Sequence, residues 1–164
     1  MIIRRAKVED AEALFEVHQG AVNSFCASSY TPEHMAEWFL GRTAKMYEPA
    51  VRAGRLWLAE ANNRVLGFVG AVPGEVTLLF VAPEASGQSV GGTLLEFGFR
   101  QAESSPQVPV VVIATTNSVS FYRRHGFQVV GEQFFVRGDP PREYPVVKMV
   151  HARVPAHEAP LTDA

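Results

Sequence analysis

VTLLFVAPEASGQSVGGTLLEF, residues 76–97, divides into three parts. Val76 to Val81 is an almost unbroken apolar run, the pattern of a strand covered on both faces. Ser86 to Gly92 is a loop of glycine and serine around Gln88 and Val90. A helix that runs to about Glu103 follows, with Val90, Leu94, Leu95, Phe99 and Ala102 recurring on one side. Glycines let a backbone approach a ligand closely. The first amides of a helix have no internal partner and lie at the positive end of its dipole. A strand that runs into such a loop and helix is therefore suited to seat an anion such as pyrophosphate.

Downstream, Val108 to Ala114 is a second buried strand, so the pair with its intervening helix is expected to form a right-handed parallel crossover. Asn117 stands where it can cap a short helix that ends at Gly126, with Phe127 placed for the apolar contact beyond a glycine cap. Phe127 to Arg137 and Tyr144 to Arg153 read as a final hairpin turning at Asp139-Pro140-Pro141. Residues 155–164 lack periodicity and read as a flexible tail after a single domain over residues 1–154. Upstream, Leu56 to Glu60 and Val65 to Val72 are strands joined at Asn62-Asn63, a hairpin signal. Thr31-Pro32-Glu33 opens a helix with a hydroxyl cap, a first-turn proline and an acid, and Thr43 can cap a short helix ending near Gly54. Val8 to Phe25 is helical by pattern, with Leu14, Phe15, His18, Ala21, Val22 and Phe25 on one face, and Met1 to Ala6 is a short strand. This order describes an α+β, or mixed α/β, domain.

The 164 residues are 47% hydrophobic and 20% charged, the composition of a folded chain rather than a disordered one. The one cysteine, Cys26, allows no internal disulfide and fits a reducing compartment. A net charge of −2 without a long basic run does not indicate a nucleic-acid partner. The first ten residues lack the apolar core of a signal peptide, and no apolar run approaches the roughly 20 residues of a membrane helix. The expected location is the cytoplasm, without a membrane partner.

Two familiar phosphate loops do not fit residues 87–93. A nucleoside-triphosphate loop needs a lysine between its last glycine and the following Ser or Thr, and Gly92 is followed directly by Thr93. A dinucleotide fingerprint needs glycine where Ser89 stands. A third loop fits better. The segment Ser86-Gly87-Gln88-Ser89-Val90-Gly91 resembles the coenzyme A pyrophosphate loop of the GNAT N-acetyltransferase superfamily, Gln/Arg-x-x-Gly-x-Gly/Ala. Gly91 matches, as do the flanks Val81-Ala82-Pro83-Glu84 and Leu94-Leu95, whereas Ser86 and Ser89 depart. Further on, Asn117-Ser-Val-Ser-Phe-Tyr-Arg-Arg-His-Gly-Phe127 resembles the second motif of that family, with Ser118, Phe121, Tyr122, Gly126 and Phe127 in register. Either Thr115 or Asn117 can take the place of the motif's Asn. Tyr30-Thr-Pro-Glu-His-Met-Ala-Glu-Trp38 is similar to a segment of small bacterial members.

The resemblance spans about residues 2 to 150. It implies a mostly antiparallel sheet of about seven strands, flanked by helices, with a parallel, splayed central pair. It implies acetyl-CoA as co-substrate, no metal, and an N-acetyltransferase acting on a small-molecule or peptide amine; a homodimer is compatible with it. The implied cofactor contacts are Leu79, Phe80 and Val81, the loop residues Ser86, Gly87, Gln88, Ser89, Val90, Gly91 and Gly92, and Asn117 and Tyr122. Tyr122 suits proton donation to the leaving thiolate, since a phenol stays protonated at neutral pH. The Val81 amide can polarise the thioester carbonyl. Glu75 and His18 are candidates for the base that neutralises the amine, His18 because imidazole titrates near neutrality. Tyr30 and Trp38 are candidates for lining the acceptor pocket. The alternatives are a CoA-binding regulatory module without turnover and a plain interaction domain.

Overall fold

The computed structural model describes residues 1–151; the stretch expected to be a tail lies outside the described residues. Seven strands form one sheet in the order β1-β2-β3-β4-β5-β7-β6. They are β1 (Ile2–Arg5), β2 (Leu56–Ala61), β3 (Arg64–Val72), β4 (Glu75–Val81), β5 (Val110–Thr115), β6 (Gln128–Arg137) and β7 (Arg142–His151). Only β4 and β5 are parallel; every other neighbouring pair is antiparallel. This is the mixed α+β architecture that the order of elements implied.

The parallel pair holds together only at its beginning. Glu75 pairs with Val111 and Val76 with Val112, and the pairing then stops. Each strand keeps its outer neighbour: β4 stays on β3 as far as Val81 opposite Gly67, and β5 stays on β7 as far as Thr115 opposite Val146. The sheet therefore opens into a gap with an unpaired strand edge on each side. The expectation that Val76–Val81 is covered on both faces is corrected accordingly. Val76 is buried, Thr77 is exposed and Leu78–Val81 are half-buried, because the far half of β4 borders this gap.

Local chemistry accounts for the elements around it. Asn62 and Asn63 adopt φ of 52° and 59°, the left-handed torsions that a two-residue hairpin turn needs and asparagine tolerates. Thr31 Oγ1 accepts the His34 N–H at 3.2 Å at the start of α2 (Pro32–Glu37). The first helical region is less uniform than its pattern suggests. A 3₁₀ turn (Val8–Asp10) leads into α1 (Ala11–Ala21), which continues as a π-helical turn (Val22–Cys26). A 3₁₀ turn (Ala44–Tyr47) precedes α3 (Glu48–Arg52), and Thr43 makes no capping bond with its side chain.

α4 (Val90–Ala102) lies against the sheet, with Val90, Leu94, Leu95, Gly98 and Ala102 buried. Gly98 permits this close approach: a Cβ there would stand 2.4 Å from Val69 Cγ2. Gly98→Ala is expected to destabilise the fold by about 1–3 kcal/mol through overpacking. Thermal unfolding checks this, and an unchanged Tm would contradict the packing described. α5 (Val119–Arg124) closes with Gly126 at φ 87°, the Gly126 N–H donating to Arg123 O and the Phe127 N–H to Tyr122 O, each at 3.1 Å. That is the glycine-capped ending foreseen from Gly126-Phe127. Asn117, by contrast, is not the cap; it lies in a 3₁₀ turn (Thr116–Ser118), and Ser118 holds the cap position.

Candidate active site

The site begins where the chain leaves β4. Gly87 and Ser89 take φ of 77° and 62°, and α4 starts at Val90. The first amide of this region to bond within the helix start is that of Thr93, to Ser89 O at 3.0 Å. Among the described residues the amides of Gly87, Ser89, Val90, Gly91 and Gly92 have no protein acceptor. Nor does the Gln88 side chain cover them, since its Nε2 turns back to Glu84 O at 2.9 Å. The carboxylate of Glu84 is paired with Arg64 at 2.7 Å. These loop amides border a cleft of about 870 Å³, whose lining also includes Arg124 and His125. Free amides at a helix start, with arginine beside them, suit a diphosphate.

A second cleft, of about 840 Å³, occupies the gap between β4 and β5. It shares Phe25, Val81, Ser86, Gly91, Phe121 and Arg124 with the first, so the two are continuous. The Ala82 N–H donates to Leu66 O of β3 at 2.8 Å. Backbone groups alternate sides along a strand, so those of Leu79 and Val81 face the gap. Asn117 lines the same gap, and its buried Oδ1 has no hydrogen-bond partner among the described residues. A buried acceptor without a donor is rare, and a ligand N–H would satisfy it. Thr115, the other candidate for this role, already has its hydroxyl 3.1 Å from Ser118 Oγ. An extended chain carrying amides therefore fits the gap: two open strand edges and one orphaned carbonyl oxygen await it.

Tyr122, on α5, borders this gap with its ring 5.2 Å from Phe121 and 5.5 Å from Phe127. Burial raises its pKa above the ordinary phenol value, so it is protonated at any physiological pH. Its hydroxyl has no protein partner among the described residues and is free to donate. Cys26 lines the gap as well, and burial pushes its thiol up to about 11, which keeps it neutral and a poor nucleophile.

The acceptor-side expectations fare differently. His18 does border the gap, with Nδ1 2.7 Å from the Tyr47 hydroxyl and its ring 3.8 Å from Phe80. Burial, together with the charges of Arg42 and Arg137, pushes its pKa down to about 3. The ground on which it was considered, an imidazole titrating near neutrality, is thereby corrected: it faces the gap as a neutral ring. Glu75 sits at the closed end of the parallel pair, opposite Val111 and Val72, and lines neither cleft. Tyr30 is also withheld from the cleft. Its hydroxyl donates to Pro145 O at 2.7 Å and accepts the Thr116 N–H at 3.2 Å, tying the segment before α2 to β7 and to the turn after β5. Trp38 is buried against Tyr30 and also lines the gap. Arg42 and Arg137, which sequence reasoning did not single out, line it too. No local pattern marks them, because one comes from the loop after α2 and the other from the end of β6.

Comparison with known proteins agrees with this geometry. The acetyltransferase (GNAT) domain family matches residues 26–141. The chain is 26% identical over 131 residues to YafP, an uncharacterised N-acetyltransferase of Escherichia coli (strain K12), covering 80% of this chain and 83% of that protein. It is 23% identical over 150 residues to the peptidyl-lysine N-acetyltransferase YjaB of Salmonella typhimurium (strain LT2), covering 91% and 97%. Its fold is similar to that of the PaiA N-acetyltransferase of Thermoplasma acidophilum, solved in complex with coenzyme A, with a TM-score of 0.70, 21% identity and coverage of 92% and 98%. Because the family match extends over well more than half of its length, the chain belongs to the acetyltransferase (GNAT) domain family, and it is an acyltransferase.

Proposed function

We propose that this chain transfers the acetyl group of acetyl-CoA to the primary amine of a small molecule or peptide, as one cytoplasmic domain over residues 1–154. The observation that carries the reading is the junction of two features: the row of free amides at the start of α4 and the gap between β4 and β5 into which it leads. The amides of Gly87 and of Ser89 to Gly92 hold the diphosphate, assisted by Arg124 and the Ser86 and Ser89 hydroxyls. The edge groups of Leu79 and Val81 and the free Oδ1 of Asn117 hold the pantetheine arm, with Phe80 between them on β4.

When bound, acetyl-CoA supplies a thioester whose carbonyl carbon the amine attacks and whose sulfur departs as a thiolate. The Val81 N–H, facing the gap, donates to the carbonyl oxygen as charge develops on it. The Tyr122 hydroxyl donates to the sulfur. The proton lost by the amine has no carboxylate to receive it, since no Asp or Glu is among the described residues lining the gap, and burial with the charges of Arg42 and Arg137 makes the His18 imidazole too weak a base to hold it. It passes through water to solvent. The pH dependence follows from this. Below its own pKa the neutral fraction of the amine falls tenfold per pH unit, so log kcat/KM is expected to rise with a slope of about one toward the pKa of the amine. A break between pH 5 and 8 that belongs to the enzyme would instead reveal a protein base.

The departures at Ser86 and Ser89 are what would favour the alternative of CoA binding without turnover. Ser89 adopts the left-handed torsion in which glycine is usual, so the loop keeps a shape that leaves its amides free. Together with Tyr122 beside the gap, this favours turnover. Thiol release from acetyl-CoA across amines, amino acids and lysine peptides tests the proposal, with YjaB, a peptidyl-lysine N-acetyltransferase, motivating the peptides. Tight acetyl-CoA binding without release for any acceptor would favour the regulatory alternative.

A further inference from the structure

Four arginines among the described residues are half-buried: Arg4, Arg42, Arg137 and Arg142. Two of them are neutralised. Arg4 bonds Asp10 and Glu60 at 2.8 and 2.9 Å, and Arg142 bonds Glu37 at 2.8 Å. Arg42 and Arg137 have no carboxylate partner among the described residues, and both line the gap between β4 and β5. Arg137 is held in place by a bond from Nη1 to Trp38 O at 3.3 Å and by its position 4.4 Å over the Phe135 ring. The two sit close enough that the charge of Arg42 lowers the pKa of Arg137, which burial and that repulsion bring to about 10. Both guanidiniums therefore remain charged at neutral pH, partly out of water and without a counter-ion among the described residues. This is a costly arrangement that a ligand anion would offset. Arg124, which lines both clefts, belongs with the diphosphate; Arg42 and Arg137 line only the second, together with His18, Trp38, Met46 and Phe135.

Building on the acetyl-transfer reading, we infer that the acceptor is a small amine that also bears a carboxylate or similar oxyanion, which Arg42 and Arg137 clamp while its amino group meets the thioester. Guanidinium forks match the planar geometry of a carboxylate. Among the described residues no Asp or Glu lines the gap to hold a second cationic group, which argues against polyamines.

Matched pairs of acceptors, each an amino carboxylate and its carboxamide, test this in the thiol-release assay with wild type, Arg42→Gln and Arg137→Lys. In the wild type the carboxylate is expected to be preferred about 10- to 100-fold in kcat/KM, the scale of a charged hydrogen-bonded contact. Arg42→Gln should bring that ratio near one, whereas Arg137→Lys, which keeps its charge, should retain part of it. A ratio that Arg42→Gln leaves unchanged, or a wild-type preference for the carboxamide or for a lysine peptide capped so that it bears no carboxylate, overturns the inference and leaves acetyl transfer standing. Should no pair be turned over, calorimetry of glutarate against the CoA-loaded protein decides. Binding that Arg42→Gln abolishes supports the clamp, and no binding overturns it. Failure to bind acetyl-CoA at all removes the acetyl-transfer reading and the inference with it.

Discussion

Tyr122→Phe is expected to lower kcat about 100- to 1,000-fold while leaving the Kd for acetyl-CoA within a few-fold of wild type. The phenol ring packs between Phe121 and Phe127, and phenylalanine fills the same volume, so fold and cofactor site should persist. What disappears is one hydroxyl that borders the gap with no protein partner among the described residues and with its proton held tightly by burial. In the proposed chemistry that hydroxyl keeps its proton and donates a hydrogen bond to the departing thiolate, and removing one such donor to developing charge costs about this much in rate. Steady-state kinetics beside calorimetric titration of acetyl-CoA separate the two effects. An unchanged kcat with chemistry rate-limiting would remove Tyr122 from the mechanism, and a matching loss of affinity would recast it as a binding residue.

Gly91→Leu should weaken acetyl-CoA binding about 100-fold, near 2.7 kcal/mol. A Cβ at Gly91 would lie 3.5 Å from both Phe121 and Val81, an ordinary contact, so Gly91→Ala fits and should bind almost as wild type does. A leucine side chain continues from that point into the place where the two clefts meet, since Gly91 lines both. It would obstruct the path from the loop amides to the gap. Because leucine is the better helix former by somewhat under about 1 kcal/mol, the Tm should not fall. A loss of affinity with an intact Tm is therefore the expected signature. Equal affinities for Gly91→Leu and wild type would place the ligand elsewhere.

What could be read from the residues divides by range. Short-range chemistry was legible: the Asn62-Asn63 turn, the Thr31 cap and the Gly126-Phe127 ending each follow from a few adjacent residues, and each forms as read. The loop opening at Ser86 was legible for the same reason, although it ends sooner than read: Val90, Gly91 and Gly92 already belong to α4. The gap was not, since VTLLFV has the same composition whether protein or an open cleft covers it. Only the family resemblance implied the splay. His18 shows a second limit. Its place on an apolar helical face was visible, but its pKa depends on Arg42 and Arg137, which reach it from other parts of the chain. Asn117 shows a third. A cap was the local reading, and tertiary packing instead leaves its Oδ1 buried without a partner beside the gap.

A structure of the protein with acetyl-CoA bound tests the central claim most directly. The diphosphate should lie on the amides of Ser89 to Gly92, the pantetheine arm should run between β4 and β5, and the sulfur should lie within hydrogen-bonding reach of the Tyr122 hydroxyl. A cofactor seated away from the start of α4, or a β4–β5 gap left empty beside it, would contradict the account.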